Sequence, residues 1–181
     1  MKNVRYTVSE RRRRTFKTDY RKRLKLLASK KLRLVIRLTL NNVYAQIIKS
    51  DPKGDSILVS VKSKDLEALG WKFSKGNIPA AYLVGLLVAK KAAKQKISDV
   101  TVDAGMSSPV KGSKIYGCIK GAIDGGLKLV CPAEKFPSED RISGKHISNY
   151  ASKSPNKFSK TKNAEEMPEL FKQVKSKIMA I

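Results

Sequence analysis

Apolar and polar residues alternate along residues 32–39, which is the period-two pattern of a strand with one buried face. Residues 43–49 continue this β-rich composition after Asn41 and Asn42, a pair that tolerates the positive backbone angles of a tight hairpin turn. The turn formers at 51–55 then separate a third apolar segment, residues 57–61. The pattern predicts an antiparallel meander of three strands.

A helix is predicted to begin at residue 18 or 19, since Thr18 and Asp19 are good N-terminal caps and residues 20–30 contain strong helix formers. Leu24, Leu27 and Leu32 would mark its buried side. The cationic side chains of the helix are predicted to face outward: Arg21, Lys22, Arg23 and Lys25.

Helices and short strands are predicted along the rest of the chain. The helices span 64–69, 77–95, 113–123 and 146–151, and the strands span 100–104 and 127–131. The helix over 77–95 has Pro79 in its first turn and is apolar nearly all round, so it must be covered on two sides. Together these elements predict an α/β fold, a mixed sheet with antiparallel hairpins and flanking helices.

The C-terminal segment carries an apolar stripe at helical spacing behind Pro168: Leu170, Phe171, Val174 and Ile178. It predicts an amphipathic helix that docks on its own domain or on a partner. We therefore expect three regions. Residues 1–17 form a basic arm, residues 18–151 form a globular α/β domain, and residues 152–181 form a basic linker and the C-terminal helix.

Positive charge is concentrated at the N-terminus. Residues 1–37 carry fifteen Lys and Arg against two acids, which supplies +13 of the net charge of +24. Residues 38–150 contribute +7 and residues 151–181 contribute +4. A segment this uniformly charged repels itself and lacks acids with which to pair, so a solvated face explains it poorly.

The consecutive cations Arg11–Arg14 point to a specific ligand chemistry. An arginine meets phosphate with a planar, bidentate fork, and its plane stacks on bases. A polybasic membrane-surface segment would need an apolar helix face, which residues 1–23 lack. We therefore expect the arm to fold onto nucleic acid.

Cysteine usage and hydropathy favour a soluble, cytoplasmic protein. Cys118 and Cys131 have neither the CxxC spacing nor the nearby histidine of a zinc site, and they are too few for a disulfide framework. The charged N-terminus has no apolar segment of signal-peptide type. The apolar run over residues 78–89 is too short to span a bilayer.

No catalytic constellation is apparent. His146 is the single histidine, so a nucleophile–histidine relay has one candidate at most, and a surface or RNA-facing role suits it better. Asp103 and Asp124 could approach each other, but no third acid joins them to form a metal site. The loop over residues 105–114 lacks the GxxxxGK[ST] spacing of a nucleotide cradle, yet its backbone could meet an RNA phosphate. We expect no catalytic residue, no metal and no cofactor.

Several segments in collinear order resemble one family. They are the arginines at 11–14 with the helix sequence at 18–27, residues 33–35, 45–47, 51–55, 70–72, 76–83, 109–114 and 141–147. Together they resemble the archaeal and eukaryotic branch of the 5S-rRNA-binding protein family of the large ribosomal subunit, family eighteen in large-subunit numbering. The resemblance covers residues 4–150, and the modest length is closer to archaeal members.

This resemblance implies a ribonuclease-H-like mixed sheet, located in the central protuberance of the large subunit. It implies binding to 5S rRNA and to the large rRNA, contacts with neighbouring ribosomal proteins, and a structural role in translation without enzymatic activity, membrane contact or a small-molecule substrate. Two alternatives remain open from the residues alone. One is a nucleic-acid-processing enzyme with a ribonuclease-H-like fold, and the other is a free DNA-binding or RNA-chaperoning protein.

Roles can be assigned within this interpretation. Arg5 and the arginines at 11–14 are expected to neutralise phosphates, and Trp71 is expected to shield the core rather than to stack on a base. The aromatic residues expected either to stack on RNA or to pack against the domain are Tyr6, Phe16 and Tyr20. The expected basic face of the first helix comprises Lys17, Arg21, Arg23 and Lys25. The residues expected to contact a phosphate from the long loop are Lys111, Ser113 and Lys114.

Overall fold

A computed structural model describes residues 8–51, 54–108, 110–154 and 163–181. Its first elements are a single helical turn, α1 (Arg11–Arg14), and a longer helix, α2 (Tyr20–Ala28). Asp19 caps α2, because its carboxylate accepts hydrogen bonds from the backbone amides of Arg21 and Lys22. The predicted start of the first helix is therefore confirmed, whereas α1 was not predicted.

Four strands form a mixed sheet in the order β3–β2–β1–β4. They are β1 (Leu32–Leu38), β2 (Val43–Asp51), β3 (Gly54–Lys62) and β4 (Val100–Asp103). The first three form the predicted antiparallel meander, and β4 pairs with β1 in parallel. The predicted α/β class with a mixed sheet and flanking helices is confirmed.

One face of the sheet, here called the core face, carries Leu34 and Ile36 of β1 and is covered by two helices, α3 (Ile78–Lys94) and α4 (Lys114–Asp124). Asn77 caps α3 by accepting a hydrogen bond from the amide of Ala80. Thirteen residues of α3 are buried, as expected for a helix that is apolar nearly all round.

The crossing of α3 and α4 depends on glycine. A Cβ atom added at Gly85 would lie 1.9 Å from the carbonyl oxygen of Cys118, and one added at Gly121 would lie 2.1 Å from that of Tyr82. Real Cβ atoms do not approach backbone that closely, so the two helices can touch only because both positions lack a side chain.

The chain ends in two short helices, α5 (Glu139–Ser143) and α6 (Lys145–Lys153), and in α7 (Met167–Met179). Helix α7 buries Phe171, Val174 and Ile178 in the same core as α3, and the Phe171 ring lies 5.6 Å from that of Tyr82. The predicted amphipathic helix is confirmed, and its apolar stripe packs on the chain's own domain. None of the helices in the described ranges is both long and apolar enough to cross a membrane.

Several sequence predictions about local structure are wrong. Residues 127–131 form no strand and contribute only an isolated bridge between Asp99 and Lys128. Neither Asn41 nor Asn42 has a positive φ; instead Thr39 closes this turn with hydrogen bonds to the backbone of Asn42. Leu24 of α2 is 70% exposed rather than buried.

Candidate nucleic-acid interface

The second face of the sheet, here called the polar face, carries Arg33, Val35 and Arg37 of β1, which alternate with the core positions. Asp103 of β4 is in register with Val35 and joins them on this face. Arg33 and Val35 are buried, so the prediction that β1 has only one buried face is wrong.

Arg33 lies at the centre of an ion-pair network. Its Nη1 donates to Oδ2 of Asp103 at 3.0 Å, and its Nη2 donates to Oδ2 of Asp55 at 2.8 Å and to Oγ of Ser50 at 3.0 Å. Only 2% of the Arg33 side chain is exposed. A charge buried this deeply is tolerated only when it is paired, so the two carboxylates are required by its position.

The network extends to α2 through Arg23. Its Nη2 lies 3.1 and 3.0 Å from the two carboxylate oxygens of Asp55. Burial alone would raise the pKa of Asp55, but hydrogen bonds from Arg23 and Arg33 outweigh it and hold the pKa below its ordinary value. The prediction that Arg23 faces outward is therefore wrong: this side chain ties α2 to the polar face.

Arg37 closes the other end of the network. Its Nη1 donates to the carbonyl oxygens of Ile36 and Asp103, each at 3.0 Å, and its Nη2 lies 3.4 Å from Oδ1 of Asp103. Gly105 follows with φ of +60°, and a Cβ there would lie 2.8 Å from Cζ of Arg37. The loop after β4 therefore passes directly over this guanidinium.

The predicted arm residues lie at the surface near α2. Arg11, Arg13 and Arg14 are exposed, while Nε of Arg12 donates to Oγ1 of Thr18 at 2.9 Å. Phe16 is 81% exposed at a φ of +50°, so it does not pack against the domain.

The other predicted RNA-binding residues on and beside α2 differ in their surroundings: Tyr20, Lys17, Arg21 and Lys25. Tyr20 is half-buried, and its hydrogen bond with Glu10 is the main cause that raises the pKa of the phenol. The other three side chains are exposed. Arg5 and Tyr6 lie outside the described residues.

A cleft of about 380 Å³ separates α2 from the end of β4. Its lining includes six cationic side chains from the arm, α2 and β1: Arg12, Lys17, Lys22, Arg23, Lys25 and Arg37. Leu26, Val102 and Ala104 supply apolar surface in the same lining. Neither a role for Arg37 nor this cleft was predicted from the sequence, although the spacing of Arg33 and Arg37 on one face of a strand was a usable signal.

The second predicted contact lies at the start of α4, and none of its residues lines the cleft. Lys111 is exposed, Lys114 is half-buried, and Gly112 adopts φ of +71°. Ser113 precedes the first turn of α4, yet its hydroxyl caps no amide and its buried Oγ has no partner among the described residues.

The candidates for catalysis have structural partners. Asp103 pairs with Arg33, and Asp124 accepts a hydrogen bond from the hydroxyl of Tyr82 at 2.8 Å. His146 is exposed, with Nδ1 3.2 Å from the carbonyl oxygen of Asp140. No group of three or more potential metal ligands occurs within the described parts of the chain.

Trp71 and the cysteines belong to the structural part of the molecule. Trp71 is buried edge-on against Phe73, and its Nε1 donates to the carbonyl of Ser74, which confirms the expected core role. Both cysteines are free thiols, and burial raises the pKa of Cys118 to about 12.

Comparisons with known proteins agree with this arrangement. The model of a family described as ribosomal large subunit proteins 60S L5 and 50S L18 matches residues 4–101. The large ribosomal subunit protein uL18 of Thermofilum pendens (strain DSM 2475 / Hrk 5) is 44% identical over 171 residues, which is 94% of this chain and 83% of that protein.

Proposed function

Because the chain belongs to the family of large-subunit ribosomal proteins that includes 60S L5 and 50S L18, of the archaeal and eukaryotic type, we propose that its specific task is to bind 5S rRNA. Its role as a structural constituent of the large ribosomal subunit, and its place in the cytoplasmic ribosome, follow from the family. The proposal adds the RNA partner, the attachment of that RNA to the large rRNA in the central protuberance, and the residues that make contact.

The observation that carries the proposal is the unpaired positive charge on and beside α2. Arg11, Arg13 and Arg14 project from α1, and Lys17 and Lys25 have no carboxylate within ion-pair distance among the described residues. Side chains of this kind release counterions from RNA and supply most of the affinity for a polyanion. Arg23 is assigned a different role, since its guanidinium holds Asp55 and thereby positions α2.

The start of α4 is proposed as a second contact with an RNA phosphate. The first turn of a helix has free amides and the positive end of the dipole, which favour an anion. Ser113 leaves this turn uncapped, and Lys111 and Lys114 bracket it. Exchanging both lysines for glutamate should weaken binding to 5S rRNA without changing the melting temperature, and equal binding by the double variant at about 150 mM salt would remove this contact from the site.

The test of the proposed function is the affinity of the purified chain for 5S rRNA as salt is increased. If six to ten phosphates are contacted, affinity should fall by a factor on the order of 10³ to 10⁵ between about 50 and 200 mM salt. An unrelated structured RNA of equal length should compete only at much higher concentration. A flat salt profile, or equal competition, would contradict the proposal.

A role without catalysis is part of this proposal. The alternative of a nucleic-acid-processing enzyme with a ribonuclease-H-like fold has no support in the family, and the acids it would need are engaged with Arg33 and Tyr82. An assay for metal-dependent cleavage of 5S rRNA should show intact RNA. A free RNA chaperone differs in another way, because it would leave large ribosomal subunits at high salt, whereas this chain should co-sediment with them.

A further inference from the structure

We propose that the cleft between α2 and the end of β4 receives one unpaired nucleotide of the bound RNA. The inference rests on the proposed function, because it concerns how the same RNA is held. At about 380 Å³, the cleft falls within the range of 300–1,000 Å³ that is typical of small-ligand sites. Its two walls come from different layers of the fold, with α2 on one side and residues 102–107 on the other.

The apolar part of the cleft suits the face of a base. Leu26 lines one wall, and Val102 and Ala104 line the other. A base removed from its stack exposes an apolar face that such surface can cover again. A solvated ion would gain nothing from these groups, so their presence among so many cations favours a nucleotide over free phosphate.

Arg37 provides a stacking surface that is already in place. Its guanidinium is held by the carbonyl oxygens of Ile36 and Asp103, yet 46% of the side chain remains exposed. Arginine planes stack on bases in RNA complexes, and a fixed guanidinium loses less conformational entropy when a base arrives. The backbone at Gly105 passes over one face of this guanidinium, so the base would stack on the opposite face.

The charges at the cleft suit the phosphates on either side of that base. Both acids in the lining are engaged: Asp19 caps α2, and Asp103 pairs with Arg33. Among the described residues, Lys17 and Lys25 have no carboxylate within ion-pair distance. The amine of Lys22 lies 4.0 Å from a carboxylate oxygen of Asp19, and 69% of the Lys22 side chain is exposed. These three amines can therefore turn to phosphate at little cost.

Duplex RNA fits the cleft poorly. Bases in an A-form helix are paired and stacked, so the face of each base is covered by its neighbours. Only a nucleotide that has left the stack presents a flat face that can enter between α2 and β4. The ligand class is therefore an unpaired nucleotide within a single strand, a loop or a bulge.

The experiment fills the cleft without changing any charge. Leu26→Trp narrows it from α2, and Ala104→Leu narrows it from the opposite wall, so one variant carries the test should the other fail to fold. Leu24→Trp is the matched control, because Leu24 lies on the same helix, is 70% exposed and does not line the cleft. Circular dichroism and melting should confirm that each variant tested is folded.

The probes are a fluorescently labelled single-stranded RNA oligonucleotide of mixed sequence and the blunt duplex that it forms with its complement. Each cleft-filling variant should lose about tenfold in affinity for the single strand, the loss expected for one base contact. Affinity for the duplex and the slope of affinity against salt should stay unchanged, because no cation is removed. Leu24→Trp should bind both probes like the parent.

The outcomes separate this inference from the proposed function. If the parent binds 5S rRNA and the cleft-filling variants bind the single strand as the control does, the cleft is not the site. If they lose single-strand and duplex binding equally, the effect lies in the position of α2 and the inference is also overturned. If adenosine monophosphate displaces the labelled single strand as well as the unlabelled single strand does, the ligand of the cleft is a free nucleotide instead. Failure of the parent to bind 5S rRNA would reject the proposed function itself.

Discussion

The two faces of the sheet bury their side chains by different means. On the core face, α3 and α4 meet so closely that Gly85 and Gly121 cannot carry a Cβ, and α7 adds Phe171 and Val174 to the same apolar cluster. On the polar face, α2 buries no residue completely and is held by Arg23, Asp55 and Arg33. The core face is therefore stabilised by close apolar packing, and the polar face is stabilised by ion pairs.

This difference separates stability from binding. Close apolar packing is strong and is not screened by salt, so the core face can hold the fold together whatever binds outside. Ion pairs near a surface are weaker, and a polyanion competes for their cations. We therefore expect substitutions on the core face to change unfolding and substitutions around α2 to change RNA binding.

The largest effect is expected at the crossing of α3 and α4. Gly121→Ala should destabilise the fold by about 3 kcal/mol, because the added methyl must push the two backbones apart. Gly117→Ala is the matched control on the same helix. The nearest atom to its Cβ would be a side-chain carbon of Ile78 at 3.2 Å, and the nearest backbone atom would be the carbonyl oxygen of Ile78 at 3.6 Å, an ordinary contact. Alanine also favours a helix more than glycine does. Urea unfolding of both variants measures the contrast, and similar losses in the two would show that the crossing is not tight.

The next effect is expected where charge is buried. Asp103→Ala leaves Arg33 with one carboxylate in place of two. Breaking a buried pair outright costs about 3–5 kcal/mol, and because Asp55 remains we expect a loss of about 2 kcal/mol. Asp99→Ala removes an acid that pairs with Lys31 at the surface, and it should cost less than about 0.5 kcal/mol. Equal melting temperatures for the two variants would mean that the network around Arg33 contributes little.

A smaller effect on stability, with a diagnostic effect on binding, is expected at Asp55. Asp55→Asn should cost about 1 kcal/mol through weakened bonds to Arg23 and Arg33. It also removes one negative charge, which alone would strengthen binding to RNA. We expect weaker binding to 5S rRNA instead, because α2 loses its anchor, and fluorescence anisotropy at fixed salt measures this. Stronger binding would show that Asp55 acts only through its charge.

The contribution of Asp55 should also depend on pH. Its pKa in the folded chain lies below the ordinary value of 3.8, so its stabilising effect is present above that value and is lost as the pH falls through the lower folded value. The stability difference between the parent and Asp55→Asn should therefore be present near neutral pH and should shrink as the pH falls below that ordinary value. Urea unfolding of both proteins across this range provides the test. A difference that grows on acidification would contradict the depressed pKa.

The smallest effect on stability, below about 0.5 kcal/mol, is expected for glutamine at all four positions of α1. These arginines bury nothing, so melting should be unchanged. Binding should respond strongly, and the slope of affinity against salt should fall by up to about 0.9 for every phosphate that the arm no longer neutralises, as for duplex DNA. Lysine at the same four positions is the control, because it keeps the charge. A large loss of thermal stability with glutamine would place the arm in the fold instead of on the RNA.

Local patterns in the sequence predicted much of the fold. The capping residues Thr18 and Asp19 placed the start of α2, Pro79 marked the first turn of α3, and the stripe through Phe171 and Ile178 predicted α7. The features that local patterns did not predict depend on contacts between residues that are distant in sequence. Period-two alternation alone placed Arg33 at the surface, because its partners Asp55 and Asp103 are 22 and 70 residues away in sequence. The contact of Gly85 with α4 was equally unpredictable, since no local signal in the sequence shows which helices contact each other.

The candidate site divides in the same way. Charge density alone predicted the arm and α2, and those contacts remain a prediction. The cleft could be recognised only from the fold, because its lining combines residues from four separate segments, among them Arg12, Leu26, Arg37 and Val102. Arg23 shows the limit most clearly. Its residue type and its place on the first helix predicted a contact with RNA, and that contact stays a prediction. Its Nη2 lies 3.0 Å from Oδ2 of Asp55, an ion pair that the sequence did not predict.

Amide hydrogen exchange of the full chain, free and bound to 5S rRNA, tests the division between the two faces most directly. We predict that RNA slows exchange in the described part of the arm, in α2 and in residues 102–107, and leaves α3 and α7 unchanged because they are already protected by packing. New protection confined to α7, with exchange in the arm and α2 unaltered, would contradict the account.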